Sequence, residues 1–128
     1  MFKKKNKFYI TTSIPYTNAP PHIGFALEII QADVLARYHK NMGDDVFFLT
    51  GTDEHGIKTL RIAREAGKDP KVFADEISQK FRDLTNILNI SNDDFIRTTD
   101  EIRHKPAVEK LWRALDKAGD IYLSLIHI

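Results

Sequence analysis

Residues 9–28 read YITTSIPYTNAPPHIGFALE, and this stretch decides the fold. It continues a run opening at Phe8 (Phe8-Tyr9-Ile10-Thr11-Thr12) whose aromatic and β-branched residues predict a strand. Pro15, Pro20 and Pro21 then enforce a loop that neither extends the strand nor starts a helix early. His22-Ile23-Gly24 leads directly into a helical pattern. A strand, a tight loop and a helix N-terminus in succession give an α/β fold a place for an anion. The first helical N–H groups are free there, and the helix dipole favours negative charge.

Working outward, Ile23, Leu27, Ile30, Val34 and Tyr38 recur at helical steps and predict a helix over 23–41 with that stripe buried. Gly43 reads as its stop, with Lys40 complementing the dipole in the last turn. Val46-Phe47-Phe48-Leu49 is a continuous apolar run, as expected of a parallel strand buried on both faces. Strand, helix, strand makes a right-handed βαβ unit. Gly51-Thr52-Asp53-Glu54-His55-Gly56 follows as a loop at the same end of the sheet, where open α/β sheets bind ligands. A helix from Ile57 to Ala66 closes at Gly67. Asp69-Pro70 caps and starts another, with Val72, Phe73, Ile77, Phe81, Leu84, Ile87 and Leu88 as its buried stripe. Asp94–Arg97 reads as a short strand. Thr99 is a candidate cap for a helix from Asp100 to Gly119 whose apolar face is Val108, Leu111, Trp112 and Leu115; Pro106 is its alternative start. The expectation is an α/β fold, the first half of a Rossmann-like nucleotide-binding (HUP-type) unit. It would have parallel strands near 8–13, 46–50 and 94–98 and helices flanking both sides.

The 128 residues suffice for one domain. Lys+Arg number 19 and Asp+Glu 18, so no global basic field marks a nucleic-acid binder. Lys3-Lys4-Lys5-Asn6-Lys7 reads as a solvated tail; no apolar core follows it to make a signal peptide. No window reaches the ~20 apolar residues of a membrane span. Without cysteine there is neither a disulfide framework nor a thiolate metal site. A soluble, cytoplasmic protein with no membrane partner is expected.

The block SIPYTNAPPHIG resembles the HIGH signature of class I aminoacyl-tRNA synthetases, and its surroundings are similar to the methionyl branch of that family. The second block, Phe48 to Gly56 (FLTGTDEHG), resembles another motif of the same branch. The resemblance runs from about Lys7 to Tyr122. It implies ATP-dependent activation of methionine and transfer to tRNA(Met), with ATP and Mg2+ as substrate. It also implies a zinc-bearing insertion domain in the family that lies outside these residues. The implied division is a basic tail (1–6), the N-terminal half of the catalytic nucleotide-binding domain (7–118), and a truncated start of the connective insertion (119–128). Leu123 to Ile128 departs from the family pattern and is read as a truncated or frame-shifted end or, alternatively, as that of a short paralogue.

The resemblance also assigns roles. His22 is the catalytic candidate, contacting the ATP phosphates; the alternative is a helix-capping histidine. Pro20, His22, Gly24 and Phe25 form the ATP-binding set, with Gly24 permitting close approach of the nucleotide. Phe25 stands where the signature has its last histidine, so a phosphate donor is missing there. Ser13, Ile14, Tyr16, Asp53 and His55 form the methionine set, with Asp53 on the ammonium or, alternatively, a loop or cap aspartate. Glu28 either positions a partner by hydrogen bonding or is a solvated helix residue. No metal is assigned, because His22 and His55 without a third ligand do not specify zinc. Two other readings remain: a non-catalytic fragment or binding module, and a small nucleotidylyltransferase with an HxGH motif.

Overall fold

Lys7–Thr11 (β1), Asp45–Thr52 (β2) and Asp94–Arg97 (β3) pair as one parallel sheet in the order β1-β2-β3. They do so in a computed structural model that describes residues 5–125. The register places Tyr9 opposite Phe47 and Thr50 opposite Phe95. Between the strands run Ile23–Asn41 (α1), Ile57–Glu65 (α2) and Pro70–Ile87 (α3). The chain divides into two compact units after Thr98.

Local chemistry explains the element ends. Gly43, Gly67 and Gly119 take positive φ just past helices, where a side chain would be strained. The Asp69 carboxylate accepts from the N–H groups of Lys71 and Val72, with Pro70 as the first helical residue of α3.

The first unit's core is one aromatic-rich cluster. Phe25 and Ile29 from α1 and Ile77 and Phe81 from α3 meet Phe48 and Phe95 of the sheet. Phe25 and Phe81 pack edge to face with ring centroids 5.0 Å apart. Both helices therefore cover the same face of the sheet. Tyr9 and Phe47, which strand alternation turns to the opposite face, stack on each other and stay exposed. The expectation of helices on both sides does not hold within this unit, because α1 and α3 pack on each other as well as on Phe48.

Two expected stripes also need correction. In α1 the buried positions are Phe25, Ile29, Ala32, Asp33 and Ala36, whereas Ile23 is 89% exposed and Leu27, Ile30, Val34 and Tyr38 are exposed too. The helix carries two apolar stripes, and periodicity alone does not say which faces the sheet. Small residues decide it: Ala32 and Ala36 let α1 approach the strands closely. In α3, Ile77 and Phe81 are buried as expected, but Val72 and Ile87 are exposed, and Ala74, Ser78 and Thr85 complete the buried face.

Gly51 sits where β2 meets β3. A Cβ there would lie 2.0 Å from the Ile96 carbonyl oxygen, so close pairing requires a residue without a side chain.

The second unit, described by itself, holds one helix, His104–Ala118 (α4). The Asp100 carboxylate accepts from the N–H groups of Ile102 and Arg103, both at 2.9 Å, in the turn before it. The helix starts at His104, not at Asp100, because Pro106 fits only a first turn. None of its residues is buried, including Val108, Leu111, Trp112 and Leu115. Residues 1–4 of the expected tail and 126–128 of the expected divergent end lie outside the described residues.

Two stability outcomes follow from this packing. Gly51→Ala is expected to lower the urea unfolding free energy by about 3 kcal/mol, since the new methyl clashes with backbone that cannot yield without parting β2 from β3. Ile29→Ala should cost about 2–5 kcal/mol and Val34→Ala less than about 0.5 kcal/mol in the same assay. The reverse order would show that the other stripe of α1 faces the sheet.

Candidate functional site

The loops after β1 and β2 are joined by backbone hydrogen bonds. The Asp53 N–H donates to the Pro15 carbonyl at 2.9 Å and the Thr17 N–H donates to the Asp53 carbonyl at 3.1 Å. Tyr16 and Asp53 thus form an isolated parallel bridge that rejoins the two segments past the end of the β1–β2 ladder. Below it, the Thr12 and Thr50 hydroxyls share a buried 2.7 Å hydrogen bond. The loops are held by the sheet rather than by each other's side chains.

A cleft of about 440 Å³ opens beside this bridge, lined by Tyr16, Asp53, His55 and the first turn of α2, with Lys58 at its border. Three of the five methionine candidates, Tyr16, Asp53 and His55, therefore share one cavity. Ser13 and Ile14 lie outside its lining. The Ser13 N–H and hydroxyl both donate to the Glu28 carboxylate, at 2.6 and 2.8 Å. Glu28, one turn into α1, thereby fixes the start of the proline loop.

The nucleotide candidates sit at the start of α1. His22 is the N-cap, and its Nδ1 accepts the Gly24 N–H at 3.0 Å. A Cβ on Gly24 would stand 2.8 Å from the His22 ring, so the glycine makes room for the imidazole to fold over the helix end. His22, Gly24 and Pro20 are exposed. Phe25 is not: it is 4% exposed, against Phe81. An imidazole at position 25 would enter the core rather than face a phosphate.

Behind the cleft lies a buried polar network that sequence reading did not anticipate. The Glu54 side chain is fully buried and accepts from Arg97 Nε at 2.6 Å and Nη2 at 3.0 Å, a bidentate pair. The Thr52 hydroxyl donates to Glu54 at 3.1 Å and shares a hydrogen bond with Ser78 of α3. Arg97 also pairs with Asp75 of α3. Glu54 holds the guanidinium charged above its ordinary range, with Asp75 adding to the effect. In turn Arg97, seconded by Lys71, holds the Asp75 carboxyl below its ordinary range. In the sequence Arg97 closes a short strand, and its pairing with a loop 43 positions away appears only in the fold.

Among the described residues no group of three histidine, cysteine, aspartate or glutamate side chains is placed to hold a metal ion, and no helix is long and apolar enough to cross a membrane.

Residues 8–128 match the family model described as tRNA synthetases class I (M). The chain is 55% identical over 116 residues to a methionine–tRNA ligase of Thermotoga maritima, covering 91% of this chain and 18% of that protein. It is 51% identical over 118 residues to the corresponding ligase of Brucella suis, covering 92% and 23%. A solved structure of Mycobacterium tuberculosis methionyl-tRNA synthetase in complex with methionyl-adenylate is similar at a TM-score of 0.89 and 47% identity, covering 93% of this chain and 23% of that one. The chain spans about a fifth of the length of these relatives.

The Asp75–Arg97 pair has a pH consequence. The folded Asp75 carboxyl titrates below the ordinary 3.8, so the pair stabilises the fold above that value and the contribution is lost as pH falls through the lower folded value. Urea midpoints measured from about pH 5 down to about pH 2 should fall less steeply in Asp75→Asn than in the unaltered chain. Parallel slopes would remove Asp75 from the acid response.

Proposed function

We propose that this chain, which belongs to the class I tRNA synthetase family (M), forms the methionine-binding side of an ATP-dependent methionine–tRNA ligase. The observation that carries this reading is the Tyr16–Asp53 bridge, which sets a carboxylate and an aromatic ring in one cleft at the carboxyl end of the sheet. The similar structure bound to methionyl-adenylate supports the same ligand chemistry here.

In this proposal the Asp53 carboxylate takes the ammonium of methionine through a charge-assisted contact. Tyr16 offers a soft apolar face to the thioether. His55 lies at the same rim, and Ser13 and Ile14, held by Glu28, shape the approach from the proline loop. The methionine carboxylate oxygen attacks the α-phosphorus of ATP; the new O–P bond forms as the bond to the leaving pyrophosphate breaks. The protein's work is alignment and stabilisation of phosphate charge. His22, whose Nδ1 accepts the Gly24 N–H, offers its Nε2–H to a phosphate oxygen, while Gly24 and Pro20 provide the exposed surface for the nucleotide. Phe25 supports this loop from the core. Mg2+ enters this proposal as part of the ATP substrate, bridging its phosphates. Transfer to tRNA(Met) is the second step of the full-length enzyme, which works in the cytoplasm.

Completed with the remaining sequence of a relative, the enzyme should respond selectively to Asp53→Ala. The methionine KM is expected to rise about 10- to 100-fold, the loss of one hydrogen bond to a charged group, with the ATP KM moving less than about threefold. Equal weakening of both substrates in ATP–pyrophosphate exchange would sink the ammonium assignment.

A further inference from the structure

We propose that Thr98 is the positioning residue of the Asp53–Glu54–His55 loop, setting Asp53 and His55 toward the cleft and fixing the Glu54 backbone between them through its hydroxyl and its carbonyl. The inference rests on the reading of Asp53 as the ammonium ligand.

Thr98 directly follows β3, and its N–H donates to the Thr52 carbonyl at 3.2 Å, adding a rung to the β2–β3 ladder. The Glu54 N–H donates to its hydroxyl at 2.8 Å. With its lone pair so engaged, the hydroxyl turns its proton toward the Asp53 carboxylate, a long contact of 3.5 Å. The Thr98 carbonyl receives the third contact, from His55 Nε2 at 3.2 Å. A carbonyl only accepts, so this bond requires the proton on Nε2 and leaves Nδ1 of the neutral ring as an acceptor. One residue thus contacts the Asp53 carboxylate, which also accepts from the His55 N–H at 3.4 Å, fixes the backbone between Asp53 and His55, and selects which imidazole nitrogen carries the proton.

The placement is reinforced from the neighbouring position. Arg97, immediately before Thr98, grips the buried Glu54 carboxylate. Side chain and backbone of Glu54 are therefore both held by consecutive residues of the β3 end. An ordinary strand-end threonine would contribute shape and propensity only. Thr98→Val keeps both and deletes only the hydroxyl; Thr98→Ser keeps the hydroxyl and deletes the methyl.

The test uses NMR on the 128-residue chain. In the unaltered chain, the 15N shifts of His55 should show the Nε2–H tautomer; a dominant Nδ1–H form overturns the proposal without any variant. In Thr98→Val, Glu54 N–H exchange should accelerate by about tenfold or more while the Phe48 N–H, bonded to Asp93 at 2.7 Å, is unchanged. Methionine affinity, followed by titration, should weaken by about tenfold. Thr98→Ser should restore both readouts to within about threefold. Wild-type affinity and wild-type Glu54 exchange in Thr98→Val would overturn the proposal. So would exchange raised throughout the sheet in both variants, which would mark a residue serving stability alone. Should Thr98→Val not fold, Thr98→Ser and the native tautomer decide the matter. Should the unaltered chain show no methionine binding, the affinity comparison is made in the completed enzyme used for Asp53→Ala, whose outcome decides the reading of Asp53, and the loop geometry stands or falls on the tautomer and Glu54 exchange, neither of which needs the ligand.

Discussion

A carboxylate with no access to water is the constraint around which this structure is arranged. Glu54 sits between two residues that face a cleft, yet its own side chain is fully buried. Such a charge is costly unless paired and hydrogen-bonded. Arg97 meets that requirement with two donors in a fixed fork, and the Thr52 hydroxyl adds a third. To bring Arg97 there, β3 must lie beside β2 in one register, which in turn requires Gly51 against Ile96. To keep Arg97 there, α3 contributes Asp75, and Ser78 on the same helix ties Thr52 from the other side. Strand order, helix placement and loop shape thus answer to the same buried charge.

The division of labour along residues 52–55 is an alternation. Thr52 and Glu54 are buried and face the α3 side; Asp53 is half-buried and His55 exposed, and both border the cleft. Strand periodicity persists past the last formal strand residue, so one stretch supplies the anchor and the site by turns. The same economy operates in the proline loop. Glu28 holds Ser13 from α1 while Pro15 and Thr17 hydrogen-bond to Asp53, leaving Tyr16 to face outward.

Much of this was legible in the residues themselves. Val46 to Leu49 as a buried parallel strand, Asp69-Pro70 as a helix start, and the convergence of two loops at the strand ends all rest on local chemistry, and local chemistry governs them in the fold. What was not legible depended on tertiary context. Ile23, Leu27 and Val34 form as good a helical stripe as Phe25, Ile29 and Ala36; only the distance that Ala32 and Ala36 allow between α1 and the sheet separates the two. Phe25 looked like a defect in a signature because the signature names an outward function, whereas the backbone at that position points inward. Arg97 and Thr98 escaped because their partners in the 52–55 loop lie more than forty positions away and local sequence does not say which strand end meets that loop.

The cleft belongs to neither motif alone. Thr12 meets Thr50 across 38 positions of chain, and Thr98 meets Asp53 across 45. Each such contact forms only after the loop-closure entropy of an intervening crossover has been met, and helices that pack on the sheet must dock to meet it. A peptide carrying only HIG or only TDEHG would hold the signature residues and none of the geometry. The recognition surface is therefore a cooperative property: it appears when the whole three-stranded unit folds and vanishes when any one of its three strands is lost.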